Sequence, residues 1–197
     1  MADDWNDCAE GWDGNASVRL YAERAFASLT GKVDIREPSW KSKRVLDFGC
    51  GTGLLAEKIA PYVDELVAVD TSAGMIEVLK GKEISGLTAH HGNVLNDDFR
   101  RNKNLVSGFD LIYASSVCSF LPDYEGAVMK LASLLTRGGY FVQWDWQAND
   151  AGDFGLAAGR IRNALESAHL GSILVEPAFT TEPEEQAMTV LLGAGRS

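Results

Sequence analysis

The sequence predicts an α/β fold: a mostly parallel, seven-stranded sheet with helices on both faces. Three observations predict it. Short apolar runs alternate with amphipathic helical stretches, the pattern of repeated strand–helix–strand units. The first apolar run ends in a glycine-rich turn that opens directly into a helix. The last two runs follow each other without an intervening helix, so they must pair antiparallel, because a parallel crossover needs more chain.

Each element follows in order. Val18, Tyr21, Ala22, Ala25, Phe26 and Leu29 form the apolar stripe of a helix ahead of the sheet, and Gly31 to Ser42 reads as a linker. Residues 1–42 are therefore taken as an N-terminal helix and linker, and 43–197 as one compact domain. Val45 to Phe48 is the first strand, Gly49 to Gly53 a turn, and Leu54 to Ala60 a helix stopped by Pro61. Leu66 to Asp70 is the second strand, followed by a helix through Met75, Ile76 and Leu79. Leu87 to His91 is a short third strand and Phe109 to Ala114 a fourth. Asp123 to Thr136 carries apolar residues at helical spacing (Ala127, Val128, Leu131, Leu134, Leu135), and Gly138-Gly139 is expected to end that helix as a left-handed cap. Tyr140 to Trp146 is the fifth strand. Ser172 to Val175 and Ala187 to Leu192 are the final pair, flanking an exposed connection at Glu182 to Glu185.

Composition narrows the classes of function. The 197 residues are 46% hydrophobic and 23% charged, ordinary for a globular chain and inconsistent with extensive disorder. With 18 Lys and Arg against 28 Asp and Glu, the net charge of −10 gives no electrostatic footprint for nucleic acid or an anionic membrane. Two small basic clusters, Lys41/Lys43/Arg44 and Arg100/Arg101/Lys103, flank strands and read as solvated edges. Cys8, Cys50 and Cys118 are odd in number and widely spaced, which fits free thiols and provides no zinc spacing, so no metal site is expected. Neither a secretory signal nor a membrane span is legible, and a cytoplasmic protein is the expectation. Oligomeric state is not legible.

The chemistry concentrates in Val45-Leu46-Asp47-Phe48-Gly49-Cys50-Gly51-Thr52-Gly53. Glycines let backbone approach a ligand closely, and the helix behind them offers unpaired N–H groups. In open α/β sheets, ligands bind at the carboxyl ends of the strands. The spacing is Asp-x-Gly-x-Gly-x-Gly. A dinucleotide fingerprint counted from Gly49 and Gly51 would need glycine where Leu54 stands, and no Gly-Lys-Ser/Thr follows to make a phosphate loop. Asp47 meets the turn at a buried strand end, an expensive place for a carboxylate unless something pairs with it, and a ligand ammonium is a suitable partner. Asp70 ends the second strand, where an acid can accept from both hydroxyls of a ribose. Capping is the competing role for each, although Thr71 or Ser72 can cap the next helix in place of Asp70.

On these residues the chain resembles the class I S-adenosylmethionine-dependent methyltransferases, especially those that modify small molecules. Val45 to Gly53 resembles the family's first motif and Val69-Asp70 its acidic second motif. Phe109 to Ala114 resembles the fourth-strand motif, Leu134 to Gly139 the helix end before strand five, and Ala187 to Arg196 the last strand. The resemblance implies a Rossmann-like doubly wound sheet of order 3-2-1-4-5-7-6 with strand 7 antiparallel. It also implies S-adenosyl-L-methionine as cofactor and a small-molecule acceptor. Carried over by position, Asp47, Gly49, Gly51 and Gly53, with Cys50 and Leu54 in the same turn, surround the methionine portion. Asp70 holds the ribose, with Thr71 and Met75 beside it. Asn93 and Val94 meet the adenine, with Gly92 shaping the turn, and Ala114 and Ser115 lie beneath the cofactor. The family commonly has aspartate at the position of Asn93, and an amide serves as both donor and acceptor there. Where the family often shows paired histidines, this chain has Cys118-Ser119-Phe120. The N-terminal segment often forms a lid in the family, and Trp12 or Tyr21 is expected to contribute a cofactor contact.

Methyl transfer from a sulfonium is an in-line displacement in which the protein aligns and desolvates, with a base needed only for an acceptor that must lose a proton. No catalytic residue is assigned. The few candidates for a base are His90 and His91, of which at most one reaches a pocket and which read first as surface histidines, and Asp145. Ser119, Trp144 and Trp146 are candidates for a substrate pocket, with Asp145 on the opposite side of the strand from the two tryptophans. Two other functions are compatible with parts of the sequence: a non-catalytic cofactor-binding module acting through partners, and an NAD-type oxidoreductase, against which Leu54 counts.

Overall fold

The computed structural model describes residues 2–96, 108–148, 154–181 and 187–197. Seven strands form one sheet in the order β3-β2-β1-β4-β5-β7-β6, with β7 antiparallel to both neighbours. This is the order that the family resemblance implies, and the antiparallel final pair is the one that the sequence predicts. The chain divides into two compact units, Met1–Val106 and Ser107–Ser197.

In the first unit, β1 (Arg44–Phe48), β2 (Glu65–Asp70) and β3 (Leu87–His91) are parallel, with Val45 opposite Leu66 and Leu66 opposite Leu87. Val45, Leu46, Leu66, Val67, Ala68 and Val69 are all buried, as expected for strands covered on both faces, which read as unbroken apolar runs. The helices are α1 (Ala2–Cys8), α2 (Ala16–Thr30), α3 (Leu54–Ile59) and α4 (Ala73–Gly81). Asn15 caps α2 by accepting from the Ser17 N–H at 2.9 Å, and Tyr21, Ala22, Ala25 and Leu29 bury the stripe. The stretch 31–42 is more than a linker. Val33, Ile35 and Trp40 are buried and Pro38–Ser42 forms a 3₁₀ turn, so its apolar residues belong to the core.

In the second unit, β4 (Phe109–Ser115) runs parallel to β5 (Leu135–Trp146), while β6 (Gly171–Thr181) and β7 (Met188–Arg196) pair antiparallel. The helices are α5 (Tyr124–Ala132) and α6 (Ala158–Ser167). Phe109, Tyr113, Phe141, Trp144 and Val190 lie in its core.

One expectation needs correction. The helix read over Asp123 to Thr136 stops at Ala132, and residues 135–139 are the beginning of β5. Leu135 pairs with Phe109, and Thr136 donates its hydroxyl to the Asp110 carboxylate at 3.2 Å, so pairing with β4 overrides the helical period. Gly138 does take a left-handed φ of 81°, but inside a strand irregularity rather than at a helix end. At Gly139 a Cβ would stand 2.9 Å from the Phe109 carbonyl oxygen, which makes glycine a requirement of this close approach. The basic cluster at Arg100 to Lys103 and the connection at Glu182 to Glu185 lie outside the described residues. Of the other cluster, Arg44 pairs with Glu65 and Lys41 donates to the Pro61 carbonyl, in keeping with an edge role.

Candidate functional site

The first unit ties the loops after its three strands together at their carboxyl ends. Gly49 and Cys50 donate their N–H groups to the Val69 carbonyl at 2.8 and 3.1 Å, which folds the turn back over β2. Gly49, Gly51 and Gly53 all have positive φ, 73°, 53° and 82°. The Gly51 N–H donates to Asp70 Oδ2 and the Ser72 N–H to Asp70 Oδ1, each at 2.8 Å. Asp70 thus bridges the first two loops, and each of its oxygens keeps further acceptor capacity. Its main-chain carbonyl accepts from Gly92 at 2.8 Å, which brings in the third loop. Asn93 follows there; its side-chain oxygen accepts from the Leu95 N–H at 2.9 Å, and Val94 is buried. His91 bonds the Thr71 carbonyl at 3.1 Å.

Asp47 is buried at the end of β1. The Cys50 thiol is pushed well above its ordinary value by burial first and then by the negative charges of Asp47 and Asp70, so it stays a neutral thiol. Over Gly51, the position of a Cβ has no atom within 4 Å, while at Gly53 a Cβ would collide with the Leu79 side chain. One glycine therefore borders open space and the other packs on α4. Leu54 is half-buried at the start of α3, and Met75 is buried on α4. Ser72 is the N-cap of α4, accepting from the Met75 N–H at 3.2 Å, so the capping role belongs to Ser72 while Asp70 is left to the turn.

The N-terminal segment is fastened to the same loops. Asn6 Oδ1 accepts from the Ser72 hydroxyl at 2.7 Å and from the Gly74 N–H at 3.0 Å. Asp13 accepts from the Thr52 hydroxyl inside the glycine turn and pairs with Lys82 at 2.7 Å. Trp12, half-buried, meets Trp5 edge to face at 5.7 Å, and Tyr21 is buried on α2. Asn6 and Asp13 carry no sequence signal, since both are ordinary polar residues in a stretch without pattern.

In the second unit, β4 ends at Ala114, buried, and Ser115, half-buried. The chain then turns through Ser116, whose φ of 59° is left-handed. The Ser116 N–H donates to the Trp144 carbonyl at 2.7 Å, and the Trp146 indole donates to the Ser116 hydroxyl at 3.1 Å. Asp145 accepts from the Ser119 N–H at 2.9 Å and from Gln143 Nε2 at 3.0 Å, and Gln143 Oε1 accepts from the Tyr124 hydroxyl at 2.8 Å. Burial is the largest influence on the Asp145 carboxyl and pushes it up to about 7, opposed by hydrogen bonds from Ser119, Cys118 and Gln143. The Cys118 thiol is also raised, by burial and by Asp145. Trp144 is fully buried and Trp146 half-buried. Phe154 meets Phe120 at 6.2 Å and Trp146 at 6.4 Å, which makes an aromatic cluster that sequence reasoning did not find. His90 is held below its ordinary value, chiefly by burial and then by Lys80.

Residues 46–141 match the family model described as a methyltransferase domain. The chain is 32% identical over 112 residues to a sterol 24-C-methyltransferase of Aspergillus fumigatus, covering 56% of this chain and 29% of that enzyme. It is 29% identical over 145 residues to a ubiquinone biosynthesis O-methyltransferase of Haemophilus ducreyi, covering 71% of this chain and 57% of that one. The chain therefore spans well under two thirds of the length of these relatives. Its fold matches the crystal structure of the N-methyltransferase NodS from Bradyrhizobium japonicum in complex with S-adenosyl-L-homocysteine, with a TM-score of 0.65 at 21% identity, covering 94% of this chain and 89% of that one. The strand order and the antiparallel last strand define a Rossmann-like class of fold. Within it, residues 46–141 are similar to a methyltransferase domain.

Proposed function

We propose that the protein is an S-adenosylmethionine-dependent methyltransferase acting on a small-molecule acceptor. The observation that carries this reading is the glycine turn. It has three left-handed glycines, open space at the Gly51 Cβ position and a carboxylate, Asp70, anchored beside that space. A nucleoside-bearing ligand fits such a cradle, because backbone approaches it without side chains and the free acceptor capacity of Asp70 suits a ribose diol.

On this reading Asp47, Gly49, Cys50, Gly51, Gly53 and Leu54 hold the amino-acid portion, and Asp70, Thr71 and Met75 hold the ribose side. Asn93 and Val94 serve the base, with the Asn93 amide nitrogen as donor, and the family resemblance adds Ala114 and Ser115 to the cofactor-binding residues. Trp12 on its fastened segment shields the site from water. The bound cofactor supplies a methyl group already activated on a sulfonium. The protein contributes binding, alignment and exclusion of water. Ser119 and Trp146, with Phe120 and Phe154, form the acceptor side, and Trp144 belongs to the core. Asp145 is fully enclosed, so no base is assigned to the acceptor, which suits a group already nucleophilic.

Calorimetry with S-adenosylmethionine, S-adenosylhomocysteine and NAD tests the binding half, and transfer of labelled methyl into a metabolite extract tests the catalytic half. Both sulfur ligands are expected to bind and NAD is not. Binding of NAD alone would end the reading, and tight binding without transfer to anything would replace it with a non-catalytic module.

A further inference from the structure

Three successive residues of β5 hold the turn that follows β4. The Trp144 carbonyl takes the Ser116 N–H, the Asp145 carboxyl takes the Ser119 N–H, and the Trp146 indole reaches the Ser116 hydroxyl. The middle holder is the unusual one. A buried carboxyl is a costly fastening, and an amide or an apolar contact would hold a purely structural turn with less desolvation. Yet Asp145 is completely buried, and it sits in a line that runs from Tyr124 on α5 through Gln143 to the turn. Tyr124, Gln143 and Cys118 are buried with it. Ser116, at the start of the turn, has a left-handed conformation that a serine seldom adopts. Phe120, at the other end, is placed against Phe154, which also meets Trp146. The Ser119 hydroxyl between them is buried close to Asp145 without a hydrogen bond of full geometry.

We propose that Asp145 is the positioning residue of the acceptor side, fixing the Ser116–Phe120 turn, and with it the Ser119 hydroxyl and the Phe120 ring, from inside the protein. The inference rests on the reading that this turn borders the acceptor. Asp145 acts through Ser119 and touches no substrate itself. The groups that face it are the Cys118 thiol from the turn and Tyr124 from α5, both held neutral by burial, and the neutral Gln143 amide; Leu191, opposite it on β7, is apolar. A charge appearing on Asp145 is therefore felt first at the Ser119 amide, where the hydrogen bond strengthens when its acceptor is ionised.

The test follows the Ser119 backbone amide by NMR between pH 5 and pH 9 in the wild-type protein, Asp145→Asn and Asp145→Ala. The wild-type resonance should move with a single midpoint near 7, following the carboxyl. In Asp145→Asn it should stay still, and exchange of the Ser119 amide should remain slow because the amide oxygen still accepts. In Asp145→Ala that exchange should accelerate by about tenfold or more. Label transfer into a metabolite extract supplies the functional arm. The extract concentration for half-maximal rate should rise about tenfold in Asp145→Ala and be largely restored in Asp145→Asn, with the affinity for S-adenosylhomocysteine equal in all three. An unchanged Ser119 amide exchange rate, or a normal half-saturation, in a folded Asp145→Ala protein would overturn the positioning role. Failure of the wild-type protein to transfer label at all would instead strike the proposed function on which it rests.

Discussion

Asp70 and Asp145 stand at the carboxyl ends of two strands and are used in opposite ways. Asp70 is partly exposed and accepts from two backbone N–H groups of loops that lead into helices. Asp145 is fully enclosed, and among the described residues it meets only neutral donors. The first arrangement keeps a carboxylate in reach of a ligand. The second hides a carboxyl behind the surface it organises, and burial raises it toward neutrality. On the proposed reading, recognition and positioning draw on the same side chain, and solvent access separates them.

The sharpest test of the exposed region is Gly51→Val. The new side chain would occupy the open space at Gly51 and force a β-branched residue to φ 53°. Affinity for S-adenosylhomocysteine should fall by more than about a hundredfold, with roughly 1–2 kcal/mol of apo stability lost to backbone strain. Unchanged affinity in the folded variant, measured by calorimetry, would reduce the turn to a structural role.

Asp70→Ala comes next. It removes charge-assisted acceptors, so cofactor affinity should drop by at least about tenfold. The sequence alone suggests that apo stability is spared. The structure instead leaves the Gly51 and Ser72 N–H groups without their acceptor, and a loss of about 1–3 kcal/mol is expected in apo thermal unfolding. Loss of stability with normal affinity would assign Asp70 to the fold alone.

For Asp145 the effect lies in pH. Its folded-state value, about 7, stands above the ordinary 3.8, so the folded protein binds more protons than the unfolded chain between these limits. Stability should therefore fall as pH rises from about 4 to about 7, by at most ~1.4 kcal/mol per unit, and level off above. Asp145→Asn should lose less than the wild type between pH 5 and pH 8 in denaturant titrations. Parallel curves would show that the carboxyl does not titrate in that window.

The smallest effect is expected at Ser72→Ala, about 1 kcal/mol of stability from the lost cap of α4, with only a modest change in affinity. A large loss of affinity there would mean that the Asn6 fastening matters to the ligand more than the cap does.

The glycine turn, Asp70 and the strands themselves are legible because each depends on residues close in sequence: alternating glycines, an acid at a strand end, apolar runs of fixed period; the strand order joins residues far apart and follows only from the family resemblance. The start of β5 was misread because Leu134 and Leu135 extend a helical period that only pairing with β4 interrupts. The Tyr124–Gln143–Asp145–Ser119 line was illegible, since its members come from α5, β5 and a turn, and none has a diagnostic spacing. In the sequence Asp145 stands out only as a candidate base between two tryptophans, and Trp144 and Trp146 are distinguishable only through their burial.

The fastening of the N-terminal segment has a consequence for the order in which the molecule assembles. Asn6 meets the Ser72 hydroxyl across 66 residues of chain, and Asp13 meets Thr52 across 39. Both partners sit in loops that exist only after β1 and β2 have paired. Closing such long loops is entropically expensive until the framework is in place, so these contacts form late and open early. Residues 5–15 should thus exchange amide hydrogens by local opening well below the free energy of global unfolding, making this segment a small, separately melting part of a cooperative domain.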